Sequence, residues 1–212
     1  MATIGHTGFR FDVTRRALGF NLPQRIGRRL WLPMLVMALM AFPAGVVLAA
    51  IRANEIATGG SADTIAALGH FVPAVNFLGF ASVLAAISFA IARILGEFRS
   101  GGGKVQEAAG RDVETLRMPG TAKLFLGFMA MGMMILLGAV ALHVVAGTAI
   151  AGGSSYALGK TEQWAIWLEG VRRFGIATYL LGIAFGLSTI ITVLRFQAVR
   201  IRELPEEVRI AG

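Results

Sequence analysis

Four stretches of the chain, residues 30–51, 71–92, 124–150 and 174–194, run apolar without a single Asp, Glu, Lys or Arg. At about 1.5 Å per helical residue, each is long enough to cross a hydrocarbon layer of about 30 Å. The pattern predicts an all-α fold, an integral membrane bundle of four transmembrane helices with spans of about 30–51, 71–95, 122–150 and 172–197. It divides the chain into a basic N-terminal arm over 1–29, a transmembrane domain over 30–199 and a tail over 200–212.

Small residues recur inside these spans. Ser82, Ala86 and Ala90 follow one another every four residues in the second, and Gly182 and Gly186 form a G-x-x-x-G in the fourth. This spacing lets helix backbones approach closely where lipid offers no hydrophobic drive for association. It suits packing within the chain and docking on another subunit equally. Pro33 and Pro73 are expected in the first turns of their spans, where a missing N–H costs little; Pro43 is expected to kink the first span. Gly59-Gly60-Ser61 marks the first loop as flexible, and Gly152-Gly153-Ser154-Ser155 opens the loop before the last span. Ser100-Gly101-Gly102-Gly103 opens the central loop, where mixed charges over 104–117 predict a short exposed helix ended by Met118-Pro119-Gly120. The last helix is expected to stop near Pro205. A shift of 103 residues aligns Phe71 with Phe174 and Leu78-Gly79 with Leu181-Gly182, a faint tandem repeat that carries no function.

Composition agrees with the membrane reading: of 212 residues 56% are hydrophobic and only 15% charged, against about a quarter charged in soluble domains. A net charge of +8 invites a nucleic-acid partner, but its distribution argues against one. Six Lys and Arg precede the first span, six lie over 93–123 and four follow the last span, while the two remaining loops hold one and three. The positive-inside rule then predicts a multi-pass protein of a bacterial inner membrane, with both termini and the central loop cytoplasmic. The first span is expected to be retained, since it is too long for a signal h-region. Arg15, Arg16, Arg25, Arg28 and Arg29, with the alternating Gly8-Phe9-Arg10-Phe11, are expected to set topology and meet anionic lipid. Trp164 and Trp167, three residues apart, are expected to anchor one helix face at the interface.

Candidate chemistry is sparse. The absence of cysteine excludes disulfides and thiolate catalysis. No Ser–His–acid set, paired carboxylate site, P-loop or HExxH is visible, so no enzymatic activity is expected. Charge-free spans also lower the case for a proton-coupled transporter. Asn76, Thr178, Ser188, Thr189 and Thr192 read as hydrogen-bonding groups within or between helices. Met129, Met131, Met133 and Met134 do not share one face and read as packing.

His70 and His143 stand apart. With the second span entering from the outside and the third leaving from Leu124, both imidazoles reach similar depth. They could hydrogen-bond neighbouring helices, or ligate a haem b iron or a metal. The leading expectation is a non-catalytic accessory, anchoring or assembly subunit, partnered by membrane lipids and other integral membrane subunits, with no cofactor. The alternatives are a haem b electron-transfer subunit using His70 and His143, and a small channel or carrier for a neutral or lipidic molecule.

Overall fold

The computed structural model describes residues 2–4, 11–15 and 19–211. It contains four helices, α1 (Leu22–Thr58), α2 (Ala62–Ala108), α3 (Gly120–Ala151) and α4 (Ser155–Ala211), and three short strands, β1 (Ala2–Ile4), β2 (Phe11–Arg15) and β3 (Glu114–Leu116). All four helices are long and apolar enough to cross a membrane, so the all-helical expectation holds in outline. Their residues gather into two units. One comprises 1–30, 87–126 and 182–212, the other 31–86 and 127–181.

The helix ends differ from the apolar spans. Asn21 caps α1: its Oδ1 accepts from the Gln24 N–H at 3.1 Å, and Gln24 Oε1 accepts from the Asn21 N–H at 3.0 Å. This reciprocal capping box starts the helix eight residues before the apolar run. Pro33 and Pro73 therefore lie well inside α1 and α2 rather than in first turns. Both Gly-Gly-Ser segments are tight turns, so the first is not the flexible loop expected. Gly59 and Gly153 take φ of +70° and +82°. The next amides, Gly60 and Ser154, reach back to Glu55 O and Ala149 O at 2.7 and 3.1 Å. Each helix thus ends in a Schellman-type cap. Ser61 and Ser154 then cap α2 and α4 through bonds to the Thr64 and Ala157 amides. Consequently α4 already begins at Ser155.

The central segment also departs from expectation. Instead of a separate helix over 104–117, α2 continues through Gly101–Gly103 to Ala108 and stops at Gly110, whose φ is +69°. Residues 114–116 then pair antiparallel with β2, and β1 pairs with the other edge of β2. Along β2, Phe11 and Val13 point into a small core with Phe196, Leu116 and Val199, while Asp12 faces out. That is the two-residue alternation of a half-buried strand. α4 runs on past Pro205 to Ala211 rather than stopping there.

Helices α1, α3 and α4 each turn inward one narrow line of residues, stepping alternately by three and four, whereas α2 buries a broader face that includes Ala81, Ser82, Leu84, Ala85 and Ala86. On α3 the line is Phe125, Met129, Gly132, Leu136, Ala139, His143, Ala146 and Ile150; on α4 it is Gly175, Tyr179, Gly182, Gly186, Thr189, Val193, Phe196 and Arg200. A 3.5-residue repeat is the seam of left-handed helix packing. Small residues on it bring backbones into contact. A Cβ on Gly27 of α1 would lie 2.6 Å from the Phe89 carbonyl oxygen of α2. One on Gly132 of α3 would lie 3.0 Å from the Tyr179 Cα of α4. Long apolar side chains such as Leu39, Met40, Val46 and Val47 face outward, the distribution suited to hydrocarbon surroundings.

Gly27→Ala should cost about 1–3 kcal/mol, because the added methyl meets backbone that cannot turn aside. Gly138→Ala, with open space around it, should be neutral or slightly stabilising through helix propensity. Thermal unfolding of the two variants in detergent measures the contrast; equal behaviour would contradict the close α1–α2 approach.

Candidate functional site

Helices α2 and α3 bring together the two histidines. Gly147 makes this possible: a Cβ there would sit 2.9 Å from the Phe71 ring, so α2 and α3 close tightly one turn from His143 and one residue from His70. Both imidazoles are buried, at 0% and 1% exposure, and their Nδ1 atoms lie 3.0 Å apart. The ring centroids are 5.2 Å apart. Phe77 meets His143 edge-on at 5.1 Å, and the Arg172 guanidinium lies 4.8 Å over the other ring of that pair, Phe77. Glu169 holds Arg172 and, at 2.9 Å, Arg173. A polar line therefore leads from the histidine pair, through Phe77, to the charged turn of α4.

The bond fixes the chemistry of the pair. One Nδ1 must donate and the other accept, so the rings are opposite tautomers. One Nε2 then carries a lone pair and the other a hydrogen, and neither has a hydrogen-bond partner among the described residues. The arrangement can share one proton across the α2–α3 seam, and it excludes two imidazolium ions face to face.

Haem b does not fit the pair as packed. Metal–imidazole bonds run about 2 Å, so an iron held axially between two rings keeps its nitrogens about 4 Å apart, with the macrocycle between them. Here the nitrogens are donor and acceptor at 3.0 Å. Among the described residues no group of three or more His, Asp or Glu gathers to hold a metal ion.

The remaining candidates fall in different places. Ser82 and Ala86 are buried and Ala90 half-buried; Ser82 Oγ donates back to Leu78 O at 2.7 Å. Gly182 and Gly186 face inward, and a Cβ on Gly186 would lie 2.9 Å from the Phe125 ring and 3.2 Å from Ile91. The small-residue faces are thus used within the chain. Thr189 Oγ1 bonds Phe185 O and Thr121 Oγ1, both at 2.9 Å. Arg25, Arg28 and Arg29 lie on the exposed side of α1 rather than in an arm, and Arg28 approaches Glu97 at 3.7 Å. Arg15 ends β2, whereas Gly8, Phe9, Arg10 and Arg16 lie outside the described residues. Trp167 is 60% exposed, but Trp164 turns toward the buried cluster of Ala67, Ile150 and Ala157. The methionines diverge as expected, with Met131 and Met134 outward. Sequence reasoning missed Gly147, Phe77 and the Glu169–Arg172 pair; Gly147, four residues after His143, was the available signal.

Comparisons with protein-family models, with curated proteins and with solved structures return no match. The four helices, each long and apolar enough to cross a membrane, have the make-up of a multi-pass helical membrane protein, and the functional reading rests on the geometry.

Replacing His70 or His143 by Leu should each cost more than half of what the double replacement costs, because a single change strands a buried nitrogen. A double-mutant cycle by unfolding in detergent should give a coupling of about 0.5–1.5 kcal/mol. Strictly additive costs would show that the bond contributes nothing.

Proposed function

We propose that this chain is a non-catalytic accessory or anchoring subunit of a larger complex in a bacterial inner membrane, with both termini cytoplasmic. The observation that carries the reading is the folded polar end. Segments before α1, between α2 and α3 and along α4 are stitched together beyond the apolar spans. Gln106 of α2 donates to and accepts from the backbone of Glu114 at 3.0 and 2.9 Å. Arg200 of α4 joins Glu114 at 3.5 Å and Glu203 at 3.0 Å, all largely buried. Thr115 Oγ1 donates to Thr14 O across the β2–β3 ladder at 3.3 Å.

Ordering polar chain costs about 1–2 kcal/mol per residue. Loops that only connect spans need no such ordering, whereas a surface presented to another subunit does. The same stitching supports the topology, since the three segments richest in Lys and Arg belong to one unit, as an even number of spans requires. The inward-facing Gly182 and Gly186 direct the docking role to this polar end.

Purification from native membranes in mild detergent should recover the chain with stoichiometric membrane partners. Glu114→Ala, which leaves Arg200 with one carboxylate fewer, should reduce their recovery severalfold while membrane insertion persists. Recovery of the wild-type chain alone would overturn the proposal.

A further inference from the structure

A cavity of about 430 Å³ opens within the unit formed by 1–30, 87–126 and 182–212. Its size falls in the roughly 300–1,000 Å³ range of small-molecule sites. One end is apolar, lined by Ala92, Leu95, Phe125 and Val193. The other carries Arg99 and Arg117 with the Gln197 amide, and no carboxylate lines the cavity among the described residues. Ala92 and Arg99 stand seven residues apart on α2, which separates apolar floor from basic rim by about 10 Å. Phe125 and Val193 belong to the apolar spans; Arg99 and Arg117 lie beyond them. The cavity therefore straddles the depth at which acyl chains give way to headgroups.

Its walls are built. A Cβ on Gly96 would lie 2.9 Å from the Phe20 ring, so the chain leading into α1 closes against α2. Phe196, in the lining, is fixed edge-on to Phe11 at 5.6 Å. The amino ends of α1 and α3 both border the space, at Pro23 and Pro119, and add partial positive charge to that of the two guanidinium groups.

We propose that this cavity is a binding site for an anionic membrane lipid, whose phosphate meets Arg99 and Arg117 while the upper part of one acyl chain fills the apolar end. Basic pockets between helices on the cytoplasmic side recognise such headgroups. The uncharged floor at span depth selects a lipid over a soluble anion. The inference needs the membrane insertion of the proposed function but not its partner.

The test uses the full chain in nanodiscs of phosphatidylcholine and phosphatidylglycerol, extracted into detergent and weighed by native mass spectrometry. Phosphatidylglycerol should be retained in preference to phosphatidylcholine. Arg117→Gln, at an exposed position, should weaken that retention about fivefold, the roughly 1 kcal/mol expected of one basic group. Ala122→Phe keeps both arginines but fills the lining and should abolish retention, with unfolding of the lipid-free variants confirming intact folds. Equal retention of the two lipids, or undiminished retention by Ala122→Phe, would overturn the site. Displacement by millimolar inorganic phosphate would overturn the assignment to lipid in favour of a free-anion site. Partner recovery from native membranes is read separately and does not enter these outcomes.

Discussion

In a bilayer the outside of a helix bundle is as apolar as its inside, so hydrophobicity cannot decide which face of a helix turns inward. Side-chain size and hydrogen bonding must decide instead. This chain meets that constraint with a narrow seam on a 3.5-residue repeat along α1, α3 and α4, set against the broader buried face of α2. Gly27, Gly132 and Gly186 let backbone or aromatic rings of the next helix approach to distances that a methyl group would forbid. Close approach multiplies dispersion contacts, each small and collectively large. Leu, Val and Met crowd the opposite faces, where their flexibility costs nothing in packing.

The seam also organises the polar groups. His143 and Thr189 occupy seam positions on α3 and α4, and each finds its partner across the interface, His70 at 3.0 Å and Thr121 at 2.9 Å. On α4 the same three-four stepping that buries Gly182 and Gly186 goes on to bury Phe196, Arg200 and Glu203. One register thus passes from helix packing among apolar side chains to an ion-pair network that fastens β3. Arg200 could not be buried there without its carboxylates, since an unpaired buried charge costs several kcal/mol.

The spans, the small-residue faces and the matched depth of His70 and His143 were legible in the sequence, because length and spacing determine them. Helix ends were not. Apolar runs report where hydrocarbon would lie, whereas helices stop where caps are available: at Asn21, at Gly110 and at the two Gly-Gly-Ser turns. Gly101–Gly103 resembled a break, yet Gly102 packs against the Gln197 side chain, and tertiary contact outweighs the poor helix propensity of glycine. β2 and β3 have five and three residues. Strands this short carry almost no periodic signal, and their pairing joins segments about 100 residues apart. The buried line of α4 could be found in its glycines but not its partner, which depends on where Phe125 and Ile91 fall on other helices.

The seam register is the claim on which the rest depends, and the absence of cysteine makes it directly measurable. Thr121→Cys combined with Thr189→Cys replaces two oxygens 2.9 Å apart by sulfurs able to reach the roughly 2.05 Å of a disulfide. Mild oxidation in native membranes should cross-link this pair rapidly within one chain. Thr121→Cys with Leu187→Cys, which places the second thiol on the exposed face of α4, should not cross-link. Equal cross-linking of the two pairs, or preference for the second, would contradict the register of α3 on α4 and the inward seam with it.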